Sequence, residues 1–264
     1  MAVNSKETDN EVIPTPEELY QRARDFQSTL RERSKLTAEL RRLPDETIQD
    51  MKDLGFFNVL KPKSWGGYEM DPRVFYKIGG ILGEACMAVA WVYGVVEVHN
   101  WQIALFDKKA QEDVLGEDNG VLISSSYAPK AKSTKQEGGY LVSGEWDWSS
   151  GCDHCDWVFL GGIIDPEAPG LTGLATLLIP RKDYEIVDNW HVYGLKGTGS
   201  KRIVVKDAFV PDHRVHMIMD GHNTVSPGNI INTAPIYKLP FGQVFTHSVT
   251  VAALGAYKGA LEAF

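Results

Sequence analysis

Apolar positions along this chain follow two different spacings. Up to about residue 118 they recur every three or four residues, as on one face of a helix; from Gly120 they alternate, as on one face of a strand. Thr15-Pro16-Glu17-Glu18 has the capping-box pattern with proline at the first helical position, and Leu19, Ala23, Phe26 and Leu30 follow on one face. Pro44-Asp45-Glu46 opens a second helix bearing Ile48, Met51 and Leu54, with Gly55 at its C-terminal end. Asp71-Pro72 opens a third, with Val74, Phe75, Ile78, Ile81 and Leu82 inward, although Gly79-Gly80 and Gly83 weigh against its continuity. Ala85 to Phe106 is apolar nearly all round and is predicted to be a central buried helix; Lys108 to Leu115 is a short closing one.

The alternating half predicts strands at Val121–Ser126, Lys130–Gln136, Tyr140–Ser143, Trp157–Ile164, Leu174–Ile179 and Ile203–Val210, arranged as an antiparallel barrel or sandwich. From Pro240 the pattern turns helical again, with Val244, Ser248, Val251, Ala252, Gly255, Gly259 and Ala260 making a small-residue face suited to close packing. The predicted class is α+β. The expected units are an N-terminal helical domain (1–118), a β-domain (119–225), and a linker with the first helix of an incomplete helical bundle (226–264).

Composition narrows the function. A net charge of -8 without a basic run argues against a nucleic-acid surface. Glu97, His99, Asn100 and Gln102 interrupt the longest apolar tract and disfavour a membrane span. The polar stretch Met1 to Asn10 has no signal-peptide core, which gives a cytoplasmic expectation. The three cysteines cannot build a disulfide framework, and Cys152-Asp153-His154-Cys155 lacks the second ligand pair of a zinc site, so no metal is expected.

The densest chemistry lies in the run from Gly139 to Trp157. Tyr140, Val142, Trp146 and Trp148 sit at alternate positions, with Ser143-Gly144 read as turn chemistry. Trp148 could cover the face of a flat ring while Ser149 or Ser150 bonds its edge. The plainer reading is a sandwich strand whose tryptophans are core.

Three motifs occur in an order that resembles the acyl-CoA dehydrogenase superfamily: Pro62-Lys63-Ser64-Trp65-Gly66-Gly67, the run Gly139 to Gly151, and Gly194-Leu195-Lys196-Gly197-Thr198-Gly199-Ser200 with Phe209-Val210-Pro211. Within it the chain is similar to oxygenase components of two-component flavin-dependent monooxygenases, of the 4-hydroxyphenylacetate 3-hydroxylase and 3-hydroxy-9,10-secosteroid hydroxylase type. Dehydrogenases usually carry Thr-Glu-Pro at the end of the first strand and a lysine in the hairpin. Here those stretches read Ser124-Ser125-Ser126-Tyr127 and Gly144-Glu145-Trp146.

The resemblance implies hydroxylation of a small phenol- or indole-like substrate by O2 and reduced FMN or FAD through a C4a-hydroperoxyflavin. It also implies a separate NAD(P)H-dependent flavin reductase and a homotetramer. It assigns Trp148 to the flavin face, Ser150 to the neighbourhood of flavin N5, and Ser125, Ser126 and Ser149 to the ring's surroundings. His99, Trp65 and Tyr93 with Ser125 fall on the substrate side, His99 and Ser150 being the catalytic expectations. Glycines at 197 and 199 would let backbone N–H groups near Thr198 and Ser200 approach a flavin anion. From spacing alone, His99 reads rather as a core histidine satisfied by a carbonyl, and the resemblance brings the two readings level. The alternatives are an acyl-CoA dehydrogenase using FAD, and an inactive or partial fragment, since the last helix reaches Phe264 without a stop signal.

Overall fold

Thr15 nucleates the first helix as its sequence predicts. In the computed structural model, which describes residues 13–264, the Thr15 Oγ1 accepts from Glu18 N (3.3 Å) and the Glu18 carboxylate accepts from Thr15 N (2.7 Å). The polar stretch Met1 to Asn10 lies outside the described residues. Helix α1 (Pro16–Leu40) buries Leu19, Ala23, Phe26 and Leu30; α2 (Asp45–Asp53) buries Ile48 and Met51. The next three are α3 (Pro72–Ala85), α4 (Met87–Ile103) and α5 (Lys108–Leu115), and Cys86 in an extended conformation breaks α3 from α4.

Every residue of α4 from Ala88 to Ile103 is buried except Trp91. This matches the prediction of a central helix, and the one gap in its burial marks the site described below. The glycines of α3 do not interrupt it. They let α7 (Phe241–Glu262) pack on α3 and α4 almost backbone to backbone. A Cβ at Gly255 would lie 2.3 Å from Gly80 O, and one at Gly94 would lie 2.5 Å from Ser248 O. A short α6 (Ile218–Asn223), inside the range expected for the β-domain, precedes α7.

The strands are β1 (Ile123–Gln136), β2 (Gly139–Ser149), β3 (Trp157–Ile163), β4 (Leu174–Pro180), β5 (Glu185–Val187), β6 (Lys201–Pro211) and β7 (Val215–Met217). They form one seven-stranded sheet in the order β5-β6-β2-β1-β3-β4-β7. Of the expected antiparallel barrel or sandwich, the closed barrel is therefore corrected, and the sheet is mixed and open. Its β1 and β3 run parallel, from Ile123↔Trp157 to Ser126↔Leu160, and its three-residue end strands β5 and β7 do not meet.

The two strands predicted on either side of residue 128 are one long β1, whose register shifts between Ser126 and Ala131. Its first half pairs with β3 and its second with β2, so β1 belongs to both halves of the sheet. Ser143-Gly144 is likewise not a turn. The hairpin turns at Glu137-Gly138, with Gly138 at φ 74, and Ser143 lies inside β2, where its hydroxyl pins Asp207 of β6 (2.7 Å) at a bulge.

Val142 and Trp146 of β2, Val158 and Leu160 of β3, Leu177 and Ile179 of β4, and Ile203 and Val205 of β6 fill a core shared by both halves of the sheet. The buried Trp146 ties those halves together through its Nε1, which donates to Ala128 O (3.0 Å) and Gly161 O (2.9 Å). The alternate residues Ile123, Phe159 and Leu178 pack on Ile103, Phe106 and Val114. This second core fixes the sheet against the helical layer and sets the seam that holds the site. No helix among the described residues is long and apolar enough to cross a membrane.

Candidate active site

A cleft of about 340 Å³ opens where α4, the start of β1, the end of β2 and α7 meet. Its walls are Trp91 and Val95 of α4, Ser125, Ser126, Tyr127 and Ala128 of β1, Trp148 and Ser150 at the end of β2, and Phe245 and Val249 of α7. Apolar side chains with a few convergent hydroxyls are the usual lining of a small-molecule site. Larger surface depressions, of about 440 Å³ beside Lys206 and Phe209 and beside Arg41 and His191, bring together none of these groups.

Trp148 is placed by a local departure from strand geometry. Its φ of 69° is in the left-handed region, the register of β2 with β6 slips between Trp146 and Ser149, and the indole is 70% exposed. A bulky residue held there costs on the order of 1–3 kcal/mol, so the surroundings must hold it. They do so through Asp147, whose carboxylate accepts from Arg202 Nε (2.7 Å) and Asn189 Nδ2 (2.9 Å) and whose carbonyl accepts from Ser126 Oγ (2.7 Å). The result is a broad aromatic face presented to the cleft rather than to the sheet core.

Ser150 is buried, and its Oγ accepts from Trp91 Nε1 (3.1 Å) and contacts Ser200 Oγ (2.7 Å). Ser200 Oγ contacts Thr198 Oγ1 (2.6 Å), which reaches Leu195 O (3.0 Å). The Gly197-Thr198-Gly199-Ser200 loop thus meets the cleft through hydroxyls. The N–H groups of Thr198 and Gly199 are taken by Leu195 O and Lys196 O, and the α-carbon of Gly197 is pressed against Thr37 of α1 and Ala88 of α4.

His99 is fully buried behind this wall. Its Nδ1 lies 2.6 Å from Ile123 O, so the ring carries its proton there, while Nε2 has no partner. The ring packs against Tyr127, Phe159 and Phe245, two of which also line the cleft. Burial pushes its pKa down to about 4, with only the Ile123 carbonyl opposing, so the imidazole is neutral with a free acceptor nitrogen. Tyr127 donates to Gln102 Oε1, which turns its hydroxyl back toward α4.

The family described as acyl-CoA dehydrogenase, N-terminal domain, matches residues 13–115. The chain is 46% identical over 236 residues to the flavin-dependent monooxygenase, oxygenase subunit HsaA, of Rhodococcus jostii, covering 89% of this chain and 61% of that protein. A crystal structure of the HsaA monooxygenase from M. tuberculosis superposes with a TM-score of 0.91 at 42% identity, covering 95% of this chain and 68% of that one. The chain belongs to the acyl-CoA dehydrogenase-like flavin-dependent monooxygenases.

The FADH(2)-dependent resorcinol hydroxylase, oxygenase component, of a Rhizobium species is 35% identical over 240 residues, 90% of this chain and 58% of that protein. The chain spans about three-fifths of the length of these curated relatives.

Not every predicted site residue of this family member reaches the cleft. Ser125, Ser126, Trp148 and Ser150 line it, and Thr198 and Ser200 are linked to it by hydroxyls. Ser149, buried beside them, has an Oγ without a partner. Tyr93 lies in the helical core against Phe56, Phe57 and Phe75, and Trp65 is tied by its Nε1 to Gln111 Oε1 (3.1 Å). Neither lines the cleft. Cys152 and Cys155 are buried in the turn between β2 and β3, and burial pushes both thiols up, Cys152 to about 12.

Sequence reasoning missed Trp91, Tyr127, Phe245 and Val249. The signal for Trp91 was faint, because α4 also carries the amphipathic rings of Tyr93, His99 and Trp101, all buried. It also missed Glu97, fully buried in α4, which accepts from Leu60 N (2.7 Å) and Asn100 Nδ2 (2.7 Å) and holds the 58–61 segment to the helix. Burial raises the Glu97 pKa to about 8.

Proposed function

We propose that the protein is the oxygenase component of a two-component flavin-dependent monooxygenase that hydroxylates a small phenol- or indole-like substrate. It would take reduced FMN or FAD from a separate NAD(P)H-dependent reductase, use O2 as co-substrate, and work as a homotetramer. The observation that carries this reading is the cleft itself, where an exposed indole face and a buried serine hydroxyl meet on one apolar cavity, with the neutral His99 packed behind its Tyr127 and Phe245 wall. The flavin-dependent hydroxylases among its relatives support it, as does a solved structure of XiaF from a Streptomyces species in complex with FADH2, 26% identical with a TM-score of 0.82.

The cleft's residues fit a flavin. Trp148 offers the ring a face, Ser150 offers one edge an oxygen, and Ser125 and Ser126 line the adjoining wall. When bound, reduced flavin supplies the oxygen activation. The chain's own task is to exclude water and hold protons in place: Val95, Phe245 and Val249 keep the cleft apolar, and the neutral His99, whose Nε2 has no partner, would accept a substrate proton only if the Tyr127 and Phe245 wall in front of it gave way.

The test supplies the protein with chemically reduced flavin, 18O2 and a panel of phenols and indoles, and in parallel with acyl-CoA thioesters and an electron acceptor. A hydroxylated product carrying one 18O is expected. Enoyl-CoA formation without 18O incorporation would overturn the reading in favour of a dehydrogenase.

A further inference from the structure

The hydroxyl chain behind Ser150 has a fixed direction. Each hydroxyl has one proton, and its two ends are unambiguous: Leu195 O can only accept and Trp91 Nε1 can only donate. Thr198 Oγ1 lies 3.0 Å from Leu195 O, a contact that bonds only if threonine donates. With that proton spent, the 2.6 Å contact between Thr198 and Ser200 requires Ser200 to donate. With the Ser200 proton spent, the 2.7 Å contact between Ser200 and Ser150 requires Ser150 to donate. Trp91 Nε1 then donates to Ser150 Oγ at 3.1 Å. No other assignment gives each of the four contacts one proton. What Ser150 Oγ has left for the cleft is a lone pair.

We infer that Ser200 and Thr198 are positioning residues that hold the Ser150 hydroxyl as a hydrogen-bond acceptor toward the cleft, so that the site favours a ligand edge carrying N–H. The inference rests on the reading that flavin binds here with its N5 edge at Ser150. Reduced flavin has a proton on N5 and oxidised flavin has a lone pair there. A hydroxyl committed to acceptance thus attracts the first and repels the second. The chain lies between the buried end of β2 and the 195–200 loop. Thr198 and Ser200 are nearly fully buried, so water does not compete for these protons.

The test compares dissociation constants of reduced FMN, oxidised FMN and oxidised 5-deaza-FMN, measured anaerobically by ultrafiltration. The last compound replaces N5 by C–H and neither accepts nor donates there. The wild type is expected to bind reduced FMN tightest and to bind 5-deaza-FMN more tightly than oxidised FMN. Ser200→Ala frees the Ser150 proton to turn into the cleft and should lower the ratio of oxidised to reduced dissociation constants about three- to tenfold, chiefly by strengthening oxidised binding. Thr198→Val removes the acceptor of the Ser200 proton and should act in the same direction, while Ser200→Thr should keep the wild-type ratio. A merely structural role would weaken all three ligands alike.

The two variants carry the test independently should one not fold, and the 5-deaza comparison needs neither. Flavin binding with a ratio unchanged in Ser200→Ala and Thr198→Val, or a wild type that binds 5-deaza-FMN more weakly than oxidised FMN, overturns this inference and leaves the function reading standing. A wild type that binds neither these three nor their FAD counterparts overturns both.

Discussion

Burial decides what the polar residues of this site can do. His99 and His216 are both enclosed, and desolvation pushes each pKa down to about 4. Unfolded, each titrates near 6.5, so between pH 6.5 and 4 the unfolded chain binds the proton first and stability falls as pH falls. Each histidine contributes up to about 1.4 kcal/mol per pH unit in that window. Thermal or urea unfolding from pH 7 to 4.5 should therefore be steeper for the wild type than for His99→Gln; equal slopes would contradict a neutral buried imidazole. Ser150→Ala leaves Trp91 Nε1 and Ser200 Oγ short of a partner and removes the acceptor from the cleft. In the presence of substrate it should release more hydrogen peroxide at the expense of hydroxylated product. Unchanged coupling in that variant would count against its role.

At the scale of elements, a helix face and a strand edge differ in how well the sequence declares them. The capping box of α1 and the all-round apolar pattern of α4 were legible because they are local. The continuity of β1 was not, because residues 127–130 lie where the strand changes partner, and that depends on β3 and β2 arriving from elsewhere. The glycines of α3 were legible as weak points but not as contacts, and Gly94 of α4 was not marked at all. Gly94→Ala would set a methyl 2.5 Å from Ser248 O of α7 and should cost about 1–3 kcal/mol of stability. Gly80→Ala meets nothing within 4 Å and should be neutral or stabilising by up to about 1 kcal/mol. Chemical denaturation of both variants checks the contrast, and equal effects would mean α7 does not pack as closely as described.

Across the whole molecule, the site exists only where two cores meet. One fills the helical layer, the other lies inside the bent sheet, and the cleft lies along their seam with α7 as its third side. Trp148 and Ser150 were readable from the aromatic run and its resemblance, since they are close in sequence. Trp91 and Phe245 were not, because 154 positions separate them and no local pattern announces that α4 and α7 share a wall. The same logic moved Tyr93 and Trp65 from the expected substrate side into the core and onto Gln111. Filling the seam should matter to the molecule as a whole: Val249→Trp narrows the cleft from α7 and should weaken flavin binding at least tenfold while leaving the far-ultraviolet circular dichroism unchanged. Unaltered affinity would place the ligand elsewhere.

The most direct measurement is a crystal structure of the protein grown anaerobically with reduced flavin and a bound phenol. The account predicts the isoalloxazine lying against the Trp148 indole, its N5 edge about 3 Å from Ser150 Oγ, and the phenol oxygen on the side of His99 Nε2. A flavin bound away from this cleft, or a Trp148 ring still facing open solvent with flavin in place, would contradict it.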